Sequence, residues 1–146
     1  MKQMSVILSV MISLLMVSCE YFGEYEFEVA NKSGETVVVS YYEQRQCTED
    51  YLPTYEHGED YDWIRVDDTP TKVVVKSDTT YRVIFQIGMV SKDWPTEDDT
   101  PERYHIVPMW DRIDYIAVGT DTLDAACYSK DKWSSENGSR FTLTIR

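Results

Sequence analysis

Three cysteines, two histidines and several runs of carboxylates are the residues of this 146-residue chain whose types could do chemistry. Cys47 and Cys127 stand about 80 residues apart, and a bridge between them would trim the unfolded chain's entropy by about 4–5 kcal/mol. Two free thiols are the other reading. Neither cysteine sits in a motif that would pair it with His57 or His105 as a nucleophile. Each histidine stands without a third ligand at fixed spacing, so no zinc site is expected. The acids gather at Glu49-Asp50, Glu59-Asp60-Tyr61-Asp62, Asp67-Asp68 and Glu97-Asp98-Asp99. Such loops offer the oxygens that Ca2+ takes, but none follows EF-hand spacing or has that loop's turning glycine. They read instead as a solvated, self-repelling surface. No cofactor, metal or catalytic residue is expected, and the chain reads as a non-enzyme.

The aromatics are more informative. Four Trp and eleven Tyr exceed what a small core needs. Tyr51, Tyr55, Trp94 and Trp133 fall in expected loops beside acids or amides, and they are the candidate binding residues. A flat ring can cover the apolar face of a sugar while polar neighbours orient its hydroxyls. In the plainer reading Trp63 and Trp110 are core and the other rings cap the ends of the fold. A Cys47–Cys127 bridge would bring Tyr51, Tyr55 and Trp133 together, bordered by Glu49, Asp50 and Asp131.

The elements that must position these groups are strands. Tyr25, Phe27 and Val29 alternate with Glu24, Glu26 and Glu28, the period of a half-buried strand. Asn31-Lys32-Ser33-Gly34 is turn chemistry, and Glu35 to Tyr42 reads as the strand returning in a hairpin. Further strand-like runs lie at 61–66, 71–76, 81–90, 103–109, 111–118 and 121–125. Phe141, Leu143 and Ile145 alternate in a closing strand. Loops are expected at 43–60, 91–102 and 126–139. Among the inward positions expected are Phe27, Val29, Val37, Val39, Val73, Val75, Ile84, Ile113, Tyr115, Phe141, Leu143 and Ile145. Short strands at this spacing, without a long helical period, specify an all-β sandwich or small barrel. With 14 basic against 26 acidic residues the formal charge is −12, which excludes a nucleic-acid partner because no basic run exists to meet phosphates.

The first residues read as an address. Lys2 is the one charge before an apolar run from Val6 to Val17, followed by Ser18 and Cys19. A positive start, a short apolar stretch and a small residue at the cut describe a secretory signal. The run is shorter than the roughly 20 residues a membrane-spanning helix needs. The expected organisation is a signal peptide at 1–18, a short tether at 19–23 and one domain at 24–146. Export favours the disulfide reading for Cys47 and Cys127.

Leu15-Met16-Val17-Ser18-Cys19 resembles the lipobox of bacterial lipoproteins, with Met16 where Leu is usual. That resemblance implies cleavage before Cys19 and its lipidation by acyl chains such as palmitate. The whole chain is similar to the short lipoproteins abundant in Bacteroidetes. The shared features are the lipobox, the opening strand with Asn31-Lys32-Ser33-Gly34, the Trp110-Asp111-Arg112-Ile113-Asp114-Tyr115-Ile116 segment and the closing Phe141-Thr142-Leu143-Thr144-Ile145 strand. The resemblance implies a lipid-anchored place in the cell envelope, at the outer membrane, with the surface and periplasmic faces both open. It also implies an immunoglobulin-like β-sandwich; the strand count of about eight leaves a lipocalin-like barrel as the alternative. Glu20, Glu24, Glu26 and Glu28 form an interrupted version of the acidic stretch that follows Cys in surface-exported members. Asp78-Thr79-Thr80 and Asp121-Thr122-Leu123 match that group's O-glycosylation tripeptide, which makes Thr79 and Thr122 acceptors. The expected function is a membrane-anchored, non-catalytic envelope lipoprotein that binds a glycan or other ligand. The alternative is a structural or accessory lipoprotein that contacts an envelope protein.

Overall fold

The computed structural model describes residues 21–45 and 65–146. Within them the chain is all-β, with short 3-10 turns and no α-helix. Ten strands run in order: β1 (Tyr21–Asn31), β2 (Val37–Tyr41), β3 (Gln44–Arg45), β4 (Arg65–Val66), β5 (Thr71–Val75), β6 (Thr80–Val90), β7 (Ile113–Val118), β8 (Asp121–Thr122), β9 (Trp133–Ser135) and β10 (Arg140–Ile145). Two four-stranded sheets result, ordered β6-β1-β10-β9 and β5-β2-β7-β8, with a small β3-β4 ladder beside them. Their apolar faces share one core, an arrangement compatible with a β-sandwich. No ladder among the described residues joins the two sheets, so the described strands do not close into a barrel.

The alternation in β1 works as expected. Tyr25, Phe27 and Val29 point inward and are fully buried. They meet Phe85, Val83 and Tyr81 of antiparallel β6, while Phe27 and Val29 also face Phe141 and Leu143 of parallel β10. The opposite sheet supplies Val37, Val39, Tyr41, Val75 and Ile116. Each such side chain contributes roughly 1.5–3 kcal/mol by leaving water. Glu26 and Glu28 of β1 are buried as well, because β1 is a central strand, while Glu24 stays exposed. Arg82 and Arg140 reach over them from the two neighbouring strands.

Several expectations are corrected. β1 and β2 are not a hairpin; they lie in different sheets, and 32–36 carries the chain across the core edge. Asn31 makes that corner. Its side-chain amide donates to the carbonyls of Glu35 (2.7 Å) and Val75 (2.8 Å), and its Oδ1 accepts from Ser33 N and Oγ. These bonds hold β1 against the other sheet instead of turning it back on itself. The run 103–109 is not a strand, because Pro101 opens a 3-10 turn and Pro108 precedes a second one at Met109–Asp111. The run 121–125 shortens to the two residues of β8, and the loop expected at 126–139 holds β9.

Two inward assignments also change. Ile84 is 49% exposed and Phe85 takes the core position, set by pairing of Phe85 with Tyr25. In β7 the register slips opposite Ser40 and Tyr41, so Ile113 and Ile116 face the core. Tyr115 is left outside under the Lys72 ammonium.

Candidate functional site

A groove bordered by an aromatic ring and charged side chains lies beside Trp110. Pro108, with its fixed φ, ends the preceding segment, and the fully buried Met109 anchors the 3-10 turn that follows. Trp110 is therefore held at the core margin. Its ring centroid lies 5.3 Å from Phe141, 5.6 Å from Phe27 and 5.8 Å from Trp133, each edge to face. Such pairs orient as well as bury a ring.

A cavity of about 500 Å3 opens in front, lined by Trp110, Glu102, Asp111, Asp114, Tyr128 and Lys130 among others. Ser40 donates to Asp114 at 3.0 Å, which fixes one carboxylate. The Lys130 ammonium lies 5.5 Å over the Trp110 ring, a cation on the ring's negative face. Burial, with Asp114 and Asp124 nearby, holds the Tyr128 hydroxyl above the usual phenol range, so it stays neutral at physiological pH. A ring, three carboxylates, a phenol and an ammonium can bond several hydroxyls around one apolar face.

Two of the four candidate rings, Trp94 and Trp133, lie among the described residues, and both pack against the core. Tyr51 and Tyr55 lie outside the described residues, as does Cys47. Trp133 is 8% exposed, and its indole N–H donates to the Tyr128 carbonyl at 3.1 Å. It belongs to the core behind Trp110. Trp94 is half-buried against Tyr25, edge to face at 5.5 Å, and its indole N–H nears the Tyr104 hydroxyl without a well-formed bond. The loop around it is knit inward: Tyr25 donates to the Asp99 carbonyl, while Tyr104 and Thr96 donate to the Asp99 carboxylate. Those bonds, led by the Thr96 N–H, hold Asp99 below the usual carboxylate range. The second and third loops meet where Pro95 packs near Gly138.

Cys127 is an exposed free thiol at the end of the 3-10 turn Ala125–Cys127. Asp131 is exposed, with Lys132 Nζ 2.7 Å away; Glu49 and Asp50 lie outside the described residues. Thr79 and Thr122 are both exposed; Thr79 Oγ1 donates to the Lys76 carbonyl. Among the described residues no three His, Cys, Asp or Glu side chains gather as a metal site, and no helix is long and apolar enough to cross a membrane.

Sequence reasoning missed Trp110 as a groove residue, having assigned it to the core. The available signal was Pro108 followed by Trp110-Asp111, a ring beside acids where a strand cannot continue. No family model, curated protein or solved structure matches the chain.

Proposed function

We propose that the protein is a non-catalytic envelope lipoprotein, anchored to the outer membrane through Cys19, whose immunoglobulin-like sandwich binds a hydroxyl-rich ligand such as a glycan. The groove at Trp110 is the observation that carries the binding reading: an oriented ring bordered by Glu102, Asp111, Asp114 and Lys130. The anchor rests on Ser18-Cys19. It is supported by the end of the sheet that follows, where Phe22 and Met89 are register partners, each 72% exposed, with Tyr21 beside them. Apolar side chains this close to an acylated cysteine would sit against lipid. A glycan array probed with the full chain in detergent tests the binding reading, with Asp114→Asn and Lys130→Ala as comparisons. Retention of selected glycans by the wild type, and loss in both variants, is expected; equal retention by all three would contradict the groove.

The second reading is an accessory lipoprotein that pairs with an envelope protein. It is favoured by the outer edge of β6, which has no partner strand among the described residues and exposes Ile84 and Met89. Silence on the array, with one protein recovered by cross-linking from positions along β6, would favour it.

A further inference from the structure

Arg112 is a buried cation that closes no ion pair among the described residues, although Glu43 lies near enough to favour its charge. The residue is 2% exposed. Its Nε donates to the Val107 carbonyl and its Nη1 to the Tyr42 carbonyl, each at 2.9 Å. Its guanidinium lies 5.2 Å from the Phe85 ring centroid and 5.9 Å from that of Tyr41. Nη2 is buried and has no hydrogen-bond partner among the described residues. Neutral carbonyls and ring faces satisfy part of a guanidinium, but an unpaired charge away from water is costly unless an anion meets it.

The same residue lines a pocket of about 260 Å3 with Tyr41, Tyr81, Glu43, Gln44 and Phe85. None of these belongs to the Trp110 groove. The Tyr41 and Tyr81 hydroxyls are 2.6 Å apart, so one proton is spent between them. The other has no acceptor among the described residues. Burial, then the Tyr81 hydroxyl, holds the Tyr41 phenol well above its usual range, so the pair presents a proton and not a phenolate. Burial lowers Arg112 to about 10, which leaves it cationic at neutral pH. Both Gln44 polar groups are already used, donating to the His105 carbonyl and accepting from Val107 N.

We propose that this pocket binds a carboxylate, with the Arg112 guanidinium supplying the opposing charge and the spare hydroxyl proton of the Tyr41–Tyr81 pair the hydrogen bond. A monoanion suits the site better than a dianion such as phosphate, because Glu43 also lines the pocket and would oppose a second negative charge. The carboxylate enters beside Tyr81, the least buried of the three donor residues. The small volume admits one acid group with a few attached atoms, either a free organic acid or the acidic ring of a larger sugar.

The test uses the full chain in detergent micelles, labelled with 15N, and follows the Arg112 Nε–H signal by NMR. Acetate supplies the carboxylate alone, glucuronate the carboxylate on a sugar ring, and acetamide and phosphate are the comparisons. Acetate and glucuronate should shift the signal saturably with Kd of about 1 mM, typical of one charge-assisted contact in a small pocket. Glucuronate binding tighter than acetate identifies an acidic sugar; equal binding identifies the acid group alone. Tyr81→Phe should weaken binding about fivefold, and Glu43→Gln should strengthen it by a similar factor. An unmoved signal at saturating acetate and glucuronate, a response to acetamide equal to that to acetate, or a response to phosphate alone would overturn the proposal. Wild-type titration and Tyr81→Phe decide the matter without a substitution at Arg112, whose burial ties it to folding.

Discussion

Glu26 and Arg140 are register partners across the parallel pair of β1 and β10, and Arg140 Nε donates to Glu26 Oε2 at 2.8 Å. On the other side Arg82 Nε stands 3.2 Å from Glu26 Oε1 and 2.7 Å from Glu28 Oε1; the second is a close ion-pair approach without directed hydrogen-bond geometry. Two carboxylates on a central strand are thus held between two arginines from its neighbours. Both arginines are about half exposed, so solvent screens the pairs. A Glu26→Gln, Arg140→Gln double-mutant cycle should give a coupling of about 0.5–1 kcal/mol in urea unfolding, shrinking in 1 M salt. A coupling indistinguishable from zero at low salt would refute the pairing.

Asn31→Ala should destabilise the chain by about 2–3 kcal/mol, since it leaves the Glu35 and Val75 carbonyls without their donor at a buried corner. Ser33→Ala, which removes only a hydroxyl bonded to Asn31 Oδ1, should cost less than half as much. Equal losses from both would mean that the Asn31 amide does not hold the corner.

Trp133→Ala should cost about 3–5 kcal/mol, the usual range for removing a buried aromatic. Near-UV circular dichroism should report the loss through the coupled Trp110 and Phe27 rings. Loss of binding with unchanged stability would place Trp133 in the recognition surface instead.

Alkaline pH should unfold the chain. Burial is the largest cause raising the Tyr25 and Tyr41 hydroxyls above the usual phenol range, and Tyr104 and Tyr128 are raised by the same cause. An unfolded tyrosine ionises near pH 10. Groups with a raised folded value contribute stability that is present below about pH 10 and lost as pH rises past it. Urea midpoints should therefore hold steady from pH 7 to 9 and fall above pH 10. The fall should be shallower in Tyr25→Phe. A slope unchanged by that substitution would show that Tyr25 ionises as freely folded as unfolded.

What was legible in the sequence follows from how many structures a local pattern permits. The alternation in β1 and β10 admits one register, because only one face of each is apolar. Val83-Ile84-Phe85 admits two, and the choice of Phe85 is made by pairing with Tyr25, a contact across 60 residues of chain. Asn31-Lys32-Ser33-Gly34 suits a hairpin and a crossing between sheets equally well. The amide of Asn31 decides, through Val75, and nothing local announces it. The exchange of roles between Trp110 and Trp133 has a similar cause. Trp133 sits on a three-residue strand too short for periodicity, yet its pairing with Leu143 turns it into the core. Arg112 stands between Asp111 and Asp114 in a run that reads as charged and solvent-facing, so its burial had no signal in sequence.

We propose that this all-β chain works at a membrane, held by Cys19. Metabolic labelling with a fatty-acid probe, comparing the wild-type chain with Cys19→Ala in the membrane fraction, tests it most directly. Label on the wild type and none on Cys19→Ala is the predicted result. Equal label on both chains, or none on either, would contradict it.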